Sequence, residues 1–228
     1  MAPPGRPVGS GGGGQSVPTS IAGSIARDIF ERRYVPGGAV PGEFEGAERF
    51  KASRSSYREA VRALAAKGLV QSAPKLGTRV RPAADWQLFD RAVSRWMFGT
   101  AMGADLRGPM LELRATLDVE SARLAARRCD QADIAAIATA VDGMEHSLQE
   151  PSTRARARGE VHRAVMNATG NALISSVGDS IAASVAAAPI EFEWCEGLGL
   201  YRLLQQRLAV GSELEAATIA DRIVSFCR

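Results

Sequence analysis

The sequence predicts a mainly α protein in two parts: three helices closed by a β-hairpin over residues 19–82, then an all-α bundle over residues 83–228. Three observations carry this division. Apolar residues recur at helical spacing along the chain from Ser20 onward, one pair of short extended runs lies between Leu69 and Val80, and the charge balance changes sign near Pro82. Residues 1–82 hold 13 Lys and Arg against 6 acids, whereas residues 83–228 hold 15 against 19. A basic first part joined to an acidic second part suits a module that meets a polyanion and a partner module with another task.

Taken in order, residues 1–18 are rich in Gly, Pro and Ser, with Gly11–Gly14 consecutive, and lack the apolar core of a signal peptide. They are expected as a disordered tail. From Ser20 to Arg33, Ile21, Ile25, Ile29 and Phe30 form a helical stripe, which the two Pro-Gly pairs of "YVPGGAVPGEF" end. A second, short helix covers Glu43 to Phe50. The third lies in "SRSSYREAVRALAAKGLV", Ser53 to Val70, where Tyr57, Val61, Leu64 and Ala65 share an apolar stripe and Arg58 and Arg62 share another face. Ser53, Ser55 and Ser56 are candidate N-caps, Ser56 and Glu59 have capping-box spacing, and Gly68 stops the helix. Exposed N–H groups, hydroxyls and arginines at its start suit phosphate and base-edge contacts, the alternative being a solvated charged face. "LVQSAPKLGTRVRP" then gives extended runs Leu69–Gln71 and Thr78–Val80 around a turn with Pro74 and Gly77. In this order the second and third helices make a helix-turn-helix, and the hairpin is a wing that touches the DNA backbone through Lys75 and Arg79.

After Pro82 the apolar spacing predicts helices at Asp85–Thr100, Leu106–Arg128, Gln131–Leu148, Thr153–Asn167, Leu173–Ala188, Trp194–Val210 and Glu213–Phe226. Six or seven such helices make a bundle, with Met97, Met110, Met144 and Met166 in its core. Cys129, Cys195 and Cys227 are widely spaced, with no CxxC pair, so neither a disulfide framework nor a cysteine zinc site is implied. No apolar run approaches the roughly 20 residues that span a bilayer. A soluble cytoplasmic protein without membrane association is expected. Catalytic signatures such as GxSxG, a Walker loop or HExxH are absent, and two histidines without a matching nucleophile leave little from which to build an enzyme.

The run from Ile21 to Val80, above all "SRSSYREAVRALAAKGLV" followed by "GTRV", resembles the winged helix of GntR-type transcription regulators. The resemblance implies that Ser53, Arg54, Ser55 and Arg58 contact operator DNA together with the Lys75–Gly77 turn. Two departures stand out. "VPGEFEG" keeps Pro41 and Glu43 of the family pattern but puts Phe44 where some members have a DNA-contacting arginine, and Gly46 where leucine packs. Glycine there costs about 1 kcal/mol of helix propensity relative to alanine and is expected to loosen the second helix. Further on, "MLELRATLDVESARLAARR" and "GEVHRAVMNATGNALISSV" resemble the effector-binding FCD domain of FadR-like regulators, so the likeness extends from Ser20 to Cys227. "DWQLFDRAVSRWMF" resembles sugar-acid-responsive members of the family.

That family holds a metal between an aspartate four residues before a histidine and two further histidines from the last two helices, a donor set that suits zinc. Here His162 matches the first histidine, but Arg158 takes the aspartate's place, and Tyr201 and Ile223 stand where the other two are expected. A guanidinium one turn from His162 repels a divalent cation, so the pocket is expected to be metal-free and to hold no cofactor. Arg114 matches an arginine that faces the effector in many such domains and suits a carboxylate; its other reading is a simple pair with Asp118 at i+4. Arg158, with His162 and Tyr201 as hydrogen-bond partners, supplies the positive charge the metal supplies elsewhere, unless "RARAR" is a solvated basic face. His146 lies outside the motif and is expected on the surface at a helix end, and Thr169–Asn171 as a turn and cap. These readings describe a homodimeric repressor that binds double-stranded operator DNA and a small anionic effector. The alternative is a DNA-binding or interaction protein whose bundle only dimerises.

Overall fold

The computed structural model describes residues 16–73, 76–187 and 194–226, and the chain divides into two compact units, Met1–Ala104 and Asp105–Arg228. Most of the expected tail therefore lies outside the described residues. Its last residues open helix α1 (Val17–Phe30), because Pro18 presets the first-turn φ and Ser16 stands at the N-cap. Ile21, Ile25, Ile29 and Phe30 are buried as the stripe predicts. Helix α2 (Glu43–Arg49) and helix α3 (Arg54–Ala66) follow. Ser53 is the α3 cap: its hydroxyl accepts from the Ser56 N–H at 3.0 Å, which places Ser56 and Glu59 inside the helix and not at a capping box. The buried face of α3 is Tyr57, Ala60 and Leu64, while Val61 is half-buried and Ala65 exposed. Gly68 ends it with φ +74°, and a Cβ there would lie 2.1 Å from the Asp85 carbonyl oxygen.

Strands β1 (Val70–Ala73) and β2 (Gly77–Val80) pair antiparallel, Val70 opposite Val80. The free edge of β2 is covered by residues 37–40: Gly37 N–H donates to Val80 O, Val80 N–H to Gly38 O, and Val40 N–H to Thr78 O. Its backbone groups are thus satisfied on both sides.

The helix expected over Asp85–Thr100 is broken. A 3-10 turn at Ala83–Asp85 precedes helix α4 (Arg91–Met97), which Asp90 caps by accepting from the Ala92 and Val93 N–H groups. Asp90 also takes Lys67 Nζ at 2.7 Å. Trp86 packs edge-on against Phe30 at 5.5 Å, and Trp96 lies so close to Gly23 that a Cβ there would stand 2.8 Å from its indole nitrogen. Through these contacts α4 packs on α1, and the boundary expected after Pro82 falls inside the first unit. Phe98 is half-buried and Phe89 exposed.

Beyond the short helix α5 (Ala101–Asp105), the second unit holds α6 (Arg107–Arg128), α7 (Gln131–His146), α8 (Pro151–Asn167), α9 (Ala172–Ala187), α10 (Trp194–Ala209) and α11 (Glu213–Phe226). Helix α6 packs against α11, α8 and α10; α7 packs against α8 and α10; α9 lies on α8. Ala122, Ala125 and Ala126 on α6 give the small-residue face that lets α11 approach, and Ile137, Val141, Met144, Val161, Leu204 and Ile219 fill the centre. Met97, Met144 and Met166 are buried and Met110 half-buried. Asp130 and Asp133 make a full capping box on α7, and Asn171 caps α9 through the Leu173 N–H. Among the described residues no helix is long and apolar enough to cross a membrane.

Candidate DNA interface and effector pocket

The start of α3 presents Ser53, Arg54, Ser55 and Arg58 on the surface. Arg54 lies over the Phe44 ring, 5.0 Å from its centroid, and Arg58 Nε is 3.2 Å from Glu43 Oε1, both partners of that pair being about half exposed. Two consecutive residues of α2 therefore hold two arginines of α3. Gly77, at φ +73°, turns the hairpin beside the exposed Leu76. Arg79 donates to Gly37 O at 2.7 Å, so its guanidinium braces the loop that covers β2. Lys75 lies outside the described residues.

Gly46 is not a hole. The Tyr57 ring occupies the space, and a Cβ on Gly46 would stand 2.1 Å from it. Tyr57 is buried, stacks on Phe50 at 6.2 Å and donates its hydroxyl to Pro41 O at 2.6 Å. Burial pushes that phenol up to a pKa beyond the ordinary range, consistent with a fixed donor. The large side chain has moved from α2 to α3, and the expected loosening of α2 does not follow.

In the second unit a cavity with about 20 Å3 of free space is lined by Asp118, Ser121, Val161, His162, Tyr201 and Ile223, among others. That is room for roughly one water. His162 and Tyr201 line it as expected; Arg114 and Arg158 are buried beside it. Arg114 sends Nε to Asp118 Oδ2 at 2.9 Å and Nη2 to His162 Nε2, so it makes the i+4 pair and reaches the cavity through the imidazole. Tyr201 OH is 3.1 Å from the same Nε2, and His162 Nδ1 faces Asp118 Oδ1 at 3.3 Å. Those donors assign the imidazole proton to Nδ1 and leave Nε2 as acceptor. Burial, then the Arg114 charge, hold the His162 pKa below its ordinary 6.5 against the pull of Asp118, with Arg158 acting in the same direction as Arg114. Burial opposes the Asp118 charge, but His162 and Arg114 outweigh it and keep the carboxyl below its usual 3.8. Asp118 is ionised and His162 neutral near pH 7.

The sequence marks Asp118 only as a partner for Arg114 and does not single out Ser121. The hydroxyl of Ser121 is buried, lines the cavity and has no hydrogen-bond partner among the described residues. Its signal was the spacing 114, 118, 121, which is one face of α6. In "RARAR", Arg156 is exposed and pairs with Glu160, whereas Arg158 turns inward. His146 is exposed at the end of α7.

These residues do not fit the family's divalent metal. The Nε2 lone pair is engaged by Arg114, the other three positions hold the Arg158 guanidinium, the Tyr201 phenol and Ile223, and no group of three His, Cys, Asp or Glu converges among the described residues.

A winged helix followed by an all-α bundle is the architecture of a two-domain transcription regulator. Comparisons with known proteins agree: residues 19–80 match the model for bacterial regulatory proteins of the gntR family, and residues 109–197 match the FCD domain. The chain belongs to the GntR family of transcription regulators and carries an FCD domain. It is 30% identical over 171 residues to the galactonate operon transcriptional repressor of Escherichia coli, covering 75% of this chain and 74% of that protein. An HTH-type transcriptional regulator of Mycobacterium tuberculosis is 32% identical, covering 68% of this chain and 69% of its own length. Among solved structures, the Listeria monocytogenes regulator Lar has a TM-score of 0.63 at 14% identity, covering 94% of this chain and 95% of its own. That likeness is one of fold.

Proposed function

We propose that the chain acts as a homodimeric repressor whose α3 reads operator DNA through Arg54 and Arg58, and that a small organic acid, of the sugar-acid or a related carboxylate class, binds in the metal-free cavity and changes that affinity. The observation that carries the effector half is the partnerless Ser121 hydroxyl, buried beside His162 and Tyr201. Leaving a buried hydroxyl unsatisfied costs free energy that a ligand oxygen restores. The buried Arg114 guanidinium bonds the imidazole that lines the cavity, and a guanidinium is the side chain best suited to a carboxylate. The likeness to a galactonate operon repressor supports a sugar acid. Since the free space is about 20 Å3, a sugar acid fits only if the residues lining the cavity move, and such a movement is what a sensor needs.

The test is a melt of the purified chain with sugar acids and short carboxylates. A ligand at a hundred times its Kd should add about 2.7 kcal/mol. Ser121→Ala and Tyr201→Phe should shrink the shift. A ligand whose shift survives both, and Arg114→Gln as well, places the sensor elsewhere. Metal analysis without chelator should find no stoichiometric ion; about one per chain would overturn the metal-free reading. The small free space of the cavity and the Arg114–Asp118 pair favour a second reading, a bundle that only dimerises, in which no acid shifts the melt.

A further inference from the structure

Phe44 is a large aromatic left 67% exposed on a seven-residue helix, with its ring open to whatever meets the start of α3. One face of its ring is used already, because the Arg54 guanidinium lies 5.0 Å from the centroid. An arginine at the first position of a helix is otherwise free to sample many rotamers, and each must be given up when it grips a base edge. Stacking on an aromatic face removes part of that freedom in advance while leaving the N–H fork open at its edge. The neighbouring pair, Glu43 with Arg58, shows α2 holding the second arginine by charge where Phe44 holds the first by its π face.

We propose that Phe44 is the positioning and specificity-determining residue for Arg54: it fixes the direction from which the guanidinium enters the major groove and so which base pair Arg54 reads. This rests on the reading of α3 as the DNA-contacting helix. A guanine, with O6 and N7 as paired acceptors, is the base such a fork fits.

The experiment uses the full chain and a duplex selected by it from random DNA, together with the same duplex changed one base pair at a time. Phe44→Ala should weaken binding about three- to ten-fold and flatten discrimination at the base pair on which Arg54 depends. Phe44→Leu, which keeps bulk without a π face, should behave as Phe44→Ala, and Phe44→Tyr should restore both affinity and discrimination. In an Arg54→Ala background, Phe44→Ala should cause no further loss. Should Phe44→Ala keep the parent's affinity and base preference while Arg54→Ala loses both, the proposal is overturned and the reading of α3 stands. If neither Arg54→Ala nor Arg58→Ala weakens binding, it is the reading of α3 that fails.

Discussion

His162 shows how one position in a motif takes its chemistry from what surrounds it. A ligating histidine needs a free lone pair and carboxylate or imidazole neighbours; here a guanidinium has taken the lone pair and a phenol and an isoleucine complete the ring. The groups facing it are Arg114 and Asp118 from α6, Arg158 from its own helix and Tyr201 from α10. Because burial and Arg114 lower its folded pKa, the unfolded chain binds a proton near pH 6.5 that the folded chain refuses. Its stabilising contribution is complete above pH 6.5 and is lost as pH falls through the folded value. Urea midpoints measured from pH 7.5 to 5 should therefore decline below pH 6.5, and the decline should be shallower in His162→Gln; equal slopes would show that the ring titrates normally. The sequence made the mismatched ligands legible residue by residue. It did not show that Arg114, 48 residues away, would be the group on Nε2, because that distance is closed only by the packing of α6 on α8.

Between α2 and α3 the relevant quantity is shared volume. Gly46 read alone signals a weakened helix, and Tyr57 read alone signals one apolar residue on a stripe; together they are a small residue and a large one filling the same space. Tyr57 cannot swing aside cheaply, since Phe50 stacks on it and Pro41 holds its hydroxyl. Gly46→Ala gains about 1 kcal/mol of helix propensity. Overpacking against a fixed ring costs about 1–3 kcal/mol. The expected net result is a loss of about 1 kcal/mol, read as a lower denaturation midpoint of the first unit. A variant more stable than the parent would mean the ring yields. The same logic explains α4: its helical period was visible, but Asp90, which caps it and also binds Lys67, divided one expected helix into a turn and a shorter helix.

At the scale of the whole molecule, the proposed sensor and the proposed DNA helix belong to different units, and in the first unit the segment 86–97 is anchored on α1 by Trp86 and Trp96. A dimer carrying two such α3 helices should select an inverted repeat, with half-sites about one helical turn apart. Coupling between the sites is reciprocal, typically about 1–3 kcal/mol, or roughly 5- to 150-fold. Titrating the acid found in the melt with and without that duplex should give a change in acid affinity equal to the change the acid makes in DNA affinity. Unequal factors would rule out a simple linkage of the two sites. What the sequence by itself determined was local and periodic: the order of helices and hairpin, the cap and stop of α3, and the charge contrast of the two parts. Those follow from neighbours within a few turns, where spacing alone sets the face. Only the tertiary structure decided that Tyr57 replaces the missing side chain of α2, that Phe44 carries Arg54, that residues 83–97 belong to the DNA-binding unit, and that Ser121 faces a cavity. Each depends on which surfaces meet across long separations in the chain, and close packing, not periodicity, makes that choice.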